Sequence, residues 1–136
     1  MTPELVFSIC SNLVLPQWLL MIIAPKWQWT QRLVSSRIIP FALAIVYAYY
    51  VATSIIGAEG GFGSLEGVMQ LFTVKGAVLA GWIHYLAFDL LVGTWVLQTA
   101  QKKKIHHGLV IPCLIGCFIL GPVGFFLFWL ICKFKE

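Results

Sequence analysis

Four stretches of the chain, residues 5–24, 38–56, 76–97 and 109–132, are apolar at nearly every position. Each reaches the length of about 20 residues that an α-helix needs to cross a bilayer. Strands of a membrane barrel would instead alternate apolar and polar residues in short segments. The pattern therefore predicts an all-α, polytopic membrane protein, a single domain over residues 1–136 with four transmembrane helices. The one long polar interval reads GAEGGFGSLEGVMQLFT over residues 57–73. Its glycines oppose a helix before Ser64. From there, apolar residues at 65, 68, 69, 71 and 72 behind a Ser64 N-cap predict a short amphipathic helix on the outer leaflet.

Composition agrees: 60% of residues are hydrophobic and 10% charged, and the mean hydropathy is +0.92. A soluble domain of this size has too little interior to bury that surface. The first span lacks the basic start and small-residue cleavage site of a secretory signal and reads as a retained helix. No transit peptide is recognisable, which points to a bacterial protein or a mature form. Lys26, Arg32 and Arg37 fall between the first two spans, and Lys102, Lys103 and Lys104 between the last two. The opposite side has only Lys75, Lys133 and Lys135. By the positive-inside rule, loops 25–37 and 98–108 are cytoplasmic and both termini lie outside. Trp27 and Trp29 then sit at headgroup level as an anchor. The net charge of +4 is a topology and lipid-surface signal. Membrane lipid is the expected partner, and nucleic acid is not.

The four cysteines supply no framework, and Cys113 and Cys117, four apart on one helix, read as small packing residues. No metal or other cofactor is expected. The first span runs through Pro16, which frees a backbone carbonyl, and Asn12 and Gln17 read as interhelical hydrogen bonders. Pro122 should kink the last span, and Gly121 and Gly124 permit close helix approach. Tyr47 fits a pocket lining and Tyr50 the aromatic belt. His106 and His107 are solvated residues or contacts to phosphate-bearing headgroups.

The third span carries His84 and Asp89 near its middle. An aspartate at the centre of a membrane helix costs roughly 2.5–3.5 kcal/mol, so such groups usually face a bundle interior. Five residues apart, the two lie about 140° apart around the axis, and no direct dyad is expected. Three readings stay open: an acid/base substrate site, hydrogen bonds that knit the helices together, or a metal or proton relay. Glu66 is either a solvated charge or a group folded over the mouth of the bundle.

The words SLEGVMQLF at 64–72, GWIHYLAFDLLVGTWV at 81–96, HHGLVIPCL at 106–114 and GPVGFFLF at 121–128 resemble the abscisic-acid-deficient-4 family, as a bacterial or cyanobacterial-type member. That family is named for a plant chloroplast membrane protein needed to make neoxanthin. The resemblance implies a four-helix membrane protein of carotenoid (xanthophyll) metabolism, with a carotenoid or other isoprenoid as ligand and room for a second protein partner. In plants the step would isomerise an epoxy-carotenoid: an acid protonates the epoxide oxygen while a base removes a vinylic proton, leaving an allene. His84, Asp89 and Glu66 are the motif's polar members and the catalytic candidates. Trp82, Tyr85 and Trp95, with Tyr47, are candidates to flank the polyene. A non-catalytic pigment- or lipid-binding subunit is the alternative, and a small ion- or proton-conducting protein the third.

Overall fold

The structure, a computed structural model, describes residues 1–135. It is all-α, with no strand among the described residues. In chain order the helices are α1 (Pro3–Ile23), α2 (Gln28–Ser36), α3 (Ile38–Tyr50), α4 (Leu65–Leu71), α5 (Lys75–Lys102), α6 (His107–Leu120) and α7 (Pro122–Phe134). A π-helical turn, Val51–Ile55, extends α3. Among the described residues, three segments are long and apolar enough to cross a membrane: Pro3–Ile23, Gln28–Ile55 and Lys75–Lys102.

Three features of the sequence reading change. The anchor segment after α1 is itself a helix: α2 buries Thr30 and Val34 and exposes Trp29 and Arg32. The Thr30 hydroxyl holds its start by donating to the Ala24 carbonyl at 2.8 Å. Asn12 does not bridge helices, because its amide donates to the Ser8 carbonyl one turn back at 2.8 Å. The fourth expected span, 109–132, is not one helix. It breaks at Gly121 into α6 and α7, each too short to span alone. By contrast, α4 forms where expected, capped by the Ser64 hydroxyl, which accepts from the Gly67 amide at 3.0 Å.

The described chain divides into two compact units, residues 1–13 with 39–87, and residues 14–38 with 88–135. In the first, the start of α1, α3, α4 and the first half of α5 come together. Leu79, Ala80, Ile83, Leu86 and Ala87 form the buried stripe of α5 at helical spacing. Glu4 meets Lys75 and Ser11 meets Trp82, so these stretches of α1 and α5 run in the same direction.

In the second unit, Val14, Trp18, Met21, Leu90, Leu97, Leu114 and Phe128 form the core. There α7 folds back along α6. A Cβ built on Gly124 would overlap the backbone of Gly116 and Cys117 and stand 2.5 Å from the Cys113 carbonyl oxygen. In one continuous helix, residues 113 and 124 would be about 16 Å apart along the axis. Only glycine at 124 allows this contact between helix backbones. The pair is a helical hairpin with its tip at Gly121–Pro122.

Candidate functional site

The predicted site residues fall into both units. In the first, the indole of Trp82 is positioned by two contacts with α1. Its Nε1 donates to the Ser11 hydroxyl at 2.9 Å, and its ring lies 5.4 Å from that of Phe7. Tyr85, one turn further along α5, stacks on Trp82 at 5.5 Å with the planes 27° apart. Beside them is a groove of about 480 Å³ lined by Glu4, Phe7, Ser8, Lys75, Val78 and Trp82. Its walls are mostly apolar, and the Glu4–Lys75 ion pair, 2.6 Å between charged atoms, is part of its lining. Both ionised side chains are exposed, so the pair adds little stability.

His84 lies on the exposed side of α5, away from the buried stripe, rather than in an interior. Its ring is 5.4 Å from the half-buried ring of Tyr47 on α3, tilted by 59°. Tyr50, expected in the aromatic belt, is buried instead, edge-on to Tyr49. Glu66 occupies the first turn of α4 and is exposed. The other acid of this interval, Glu59, accepts from the Gln70 amide at 3.2 Å, beside a polar recess that includes Thr53, Ser54 and Thr73.

In the second unit Asp89 is half-buried, with its carboxyl group against Gly121 at the hairpin tip. Trp95 braces the same hairpin, its ring 5.5 Å from Phe125 and 5.8 Å from Phe128. Gln17 is the interhelical bonder the sequence indicated. Completely buried, it donates through Nε2 to the Thr94 hydroxyl at 3.1 Å.

The structure thus brings Trp82, Tyr85, Tyr47 and His84 into one unit, with Glu66 on that unit's surface, and Asp89 and Trp95 into the other. Sequence reasoning missed Phe7, Ser11 and Thr94. Phe7 and Ser11, four apart on α1, are ordinary residue types whose shared stripe was the available signal. Among the described residues, no three His, Cys, Asp or Glu side chains come together to hold a metal ion.

These features define an all-helical protein consistent with residence in a membrane, carrying an aromatic-lined groove on one unit and a buried polar pair on the other. The chain belongs to the ABA DEFICIENT 4-like family, whose description matches residues 5–128. It is 26% identical over 129 residues to Protein ABA DEFICIENT 4, chloroplastic, of Arabidopsis thaliana, covering 88% of this chain and 56% of that protein. The chain therefore spans little more than half the length of the curated relative it matches. No solved structure matches.

Proposed function

We propose that this chain is an integral-membrane protein of carotenoid metabolism that holds a long, largely apolar polyene against Phe7, Trp82 and Tyr85. Family membership supports the pathway, and the observation that carries the ligand class is this aromatic row beside an apolar groove. Flat rings offer a conjugated chain large contact areas at little entropic cost. The ion pair in the groove's lining is suited to the hydroxylated terminus of a xanthophyll.

The chemistry we assign is a redox-neutral isomerisation. The epoxide C–O bond breaks as its oxygen gains a proton, a vinylic C–H loses a proton to a base, and the electron pair released forms the second double bond of an allene. Every atom stays in the product, so no cofactor is required. An imidazole can both take and give a proton, and His84 is in the same unit as the aromatic row, beside Tyr47 and about 160° around α5 from Trp82. Trp82 and Tyr85 orient the ligand. Tyr47, against the imidazole ring, orients His84.

A second reading, a pigment-binding subunit without catalysis, is favoured by the surroundings of the two carboxylates. Glu66 is solvated on α4, and Asp89 is engaged at the hairpin tip.

Expression in a carotenoid-producing host, with chromatography of the host pigments and absorption spectroscopy of the purified protein, separates the readings. Converted pigment that reverts to host pigment in His84→Gln supports catalysis. Coloured protein with unconverted pigment supports the binding subunit. Colourless protein with unchanged host pigments sinks both.

A further inference from the structure

In the second unit, a cleft of about 680 Å³ has Lys26, Gln31, Gln101, Lys104, His106 and His107 as its polar lining, beside the apolar Leu97, Ala100, Ile105 and Val110, and no carboxylate among the described residues lines it. We propose that it binds a phosphate group, carried by a lipid headgroup or by a soluble compound. This inference is independent of the carotenoid reading.

Four observations support it. Its cationic side chains converge from two separate turns, the one after α1 and the one after α5, rather than from a single run. Neither Lys26 nor Lys104 makes an ion pair among the described residues, so both ammonium groups are available to an anion.

The cleft is also built from fixed groups. Gln101 Nε2 donates to the Pro25 carbonyl at 3.1 Å, and Gln31 Nε2 donates to Gln101 Oε1 at 3.2 Å. His107 Nε2 lies 2.8 Å from the Ile22 carbonyl oxygen, where it is the donor. These bonds tie the two turns together. Lys104 is held in the left-handed backbone region, φ 54°, at the end of α5.

His106 is prepared to donate. Its Nδ1 accepts from the Gly108 amide at 3.2 Å, capping α6. In the neutral ring the proton must then reside on Nε2, which becomes a donor. Two ammonium groups and an imidazole N–H match the several acceptor oxygens of a phosphate.

Finally, the surroundings have the character of a membrane interface. On α2, the Arg32 guanidinium lies 5.0 Å from the Trp29 ring centre, and Trp27 and Trp29 are both exposed.

The test is titration of the purified full-length protein in neutral detergent with dioctanoyl phosphatidylglycerol, dioctanoylglycerol and inorganic phosphate, followed by calorimetry. Saturable binding of phosphatidylglycerol without binding of dioctanoylglycerol supports the site and assigns it to headgroups. Binding of inorganic phosphate alone supports the site and assigns it to soluble phosphates. Equal binding of the two lipids, or no binding of any probe, overturns it.

Replacing Lys26→Gln and Lys104→Gln together should weaken binding about thirtyfold, the effect of two interfacial lysines. Lys102→Gln with Lys103→Gln, outside the cleft, should change it less than about twofold. Equal weakening by both pairs overturns the proposal. Amine-reactive labelling of the unaltered chain gives a readout that needs no variant to fold: bound probe should protect Lys26 and Lys104 but not Lys102. Uniform protection, or none, also overturns it.

Discussion

The Asp89 carboxyl group occupies the space that a side chain on Gly121 would need. A Cβ there would overlap Oδ1 and stand 3.2 Å from the carboxyl carbon. Gly121 is buried at the turn between α6 and α7, so the middle of α5 and the hairpin tip fit together through the smallest residue. Gly121→Ala should lower stability by about 1–3 kcal/mol, the usual cost of overpacking a close contact. Gly63→Ala, where nothing lies within 4 Å of the new methyl group, is the matched control. Thermal unfolding in detergent reads the difference, and equal midpoints for the two variants would remove the contact from the account.

Asp89 also stands where the C-terminal end of α6 and the N-terminal end of α7 meet, so the two helix dipoles oppose one another there and its packing against Gly121 is what ties α5 to the hairpin. The group that sequence reasoning offered as an acid or base is therefore placed to hold the hairpin. Asp89→Asn keeps the shape and should cost less than about 1.5 kcal/mol, the range for volume-conserving swaps. The absorption of any bound pigment should stay unchanged. An unchanged unfolding midpoint with lost conversion would return this carboxylate to the chemistry.

Gln17 and Thr94 form a buried hydrogen bond within the second unit, and Gln17 Oε1 has no hydrogen-bond partner among the described residues. Thr94→Val leaves the Gln17 amide without its acceptor, a loss of about 1–3 kcal/mol. Gln17→Leu removes both the donor and the buried carbonyl. The double variant should therefore lose less than the sum of the singles, with a coupling of about 0.6–1.7 kcal/mol, the range for polar pairs between membrane helices. Strict additivity in an unfolding cycle would mean the two side chains do not support one another.

Much of this was legible because apolar length is a strong signal. α1 and the Ser64-capped α4 lie close to their expected bounds, α5 starts where expected but runs five residues past 97 to Lys102 into the expected loop, and Gln17 stood out as an amide in an apolar run. α2 was not legible, since the polar word QWTQRLVSS becomes a helix only by burying Thr30 and Val34 against its neighbours. Thr94 was silent because threonine is common in membrane helices and only its buried partner gives it meaning. The break at Gly121–Pro122 was visible, but a kink and a reversal share one sequence signature. The choice between them is made by the contact of Gly124 with Gly116 and Cys113, a tertiary fact. His84 shows the same limit: its residue type is polar at depth, while its direction depends on which α5 stripe meets other helices.

The reversal has a consequence for topology. α6 has 14 residues and α7 has 13, about 20 Å each at 1.5 Å per residue, against about 30 Å of hydrocarbon. A hairpin folded this way in a bilayer would enter and leave by the same face, with the C-terminal end of α7 on the side of the 102–104 turn. A straight fourth span would put it on the other. Single cysteines at Lys103 and Lys135, introduced after replacing Cys10, Cys113, Cys117 and Cys132, decide the matter with an impermeant maleimide on sealed vesicles of known orientation. Both positions should label from the same side. Labelling from opposite sides would mean that the hairpin opens into a continuous span in the bilayer, and the Asp89–Gly121 contact would go with it.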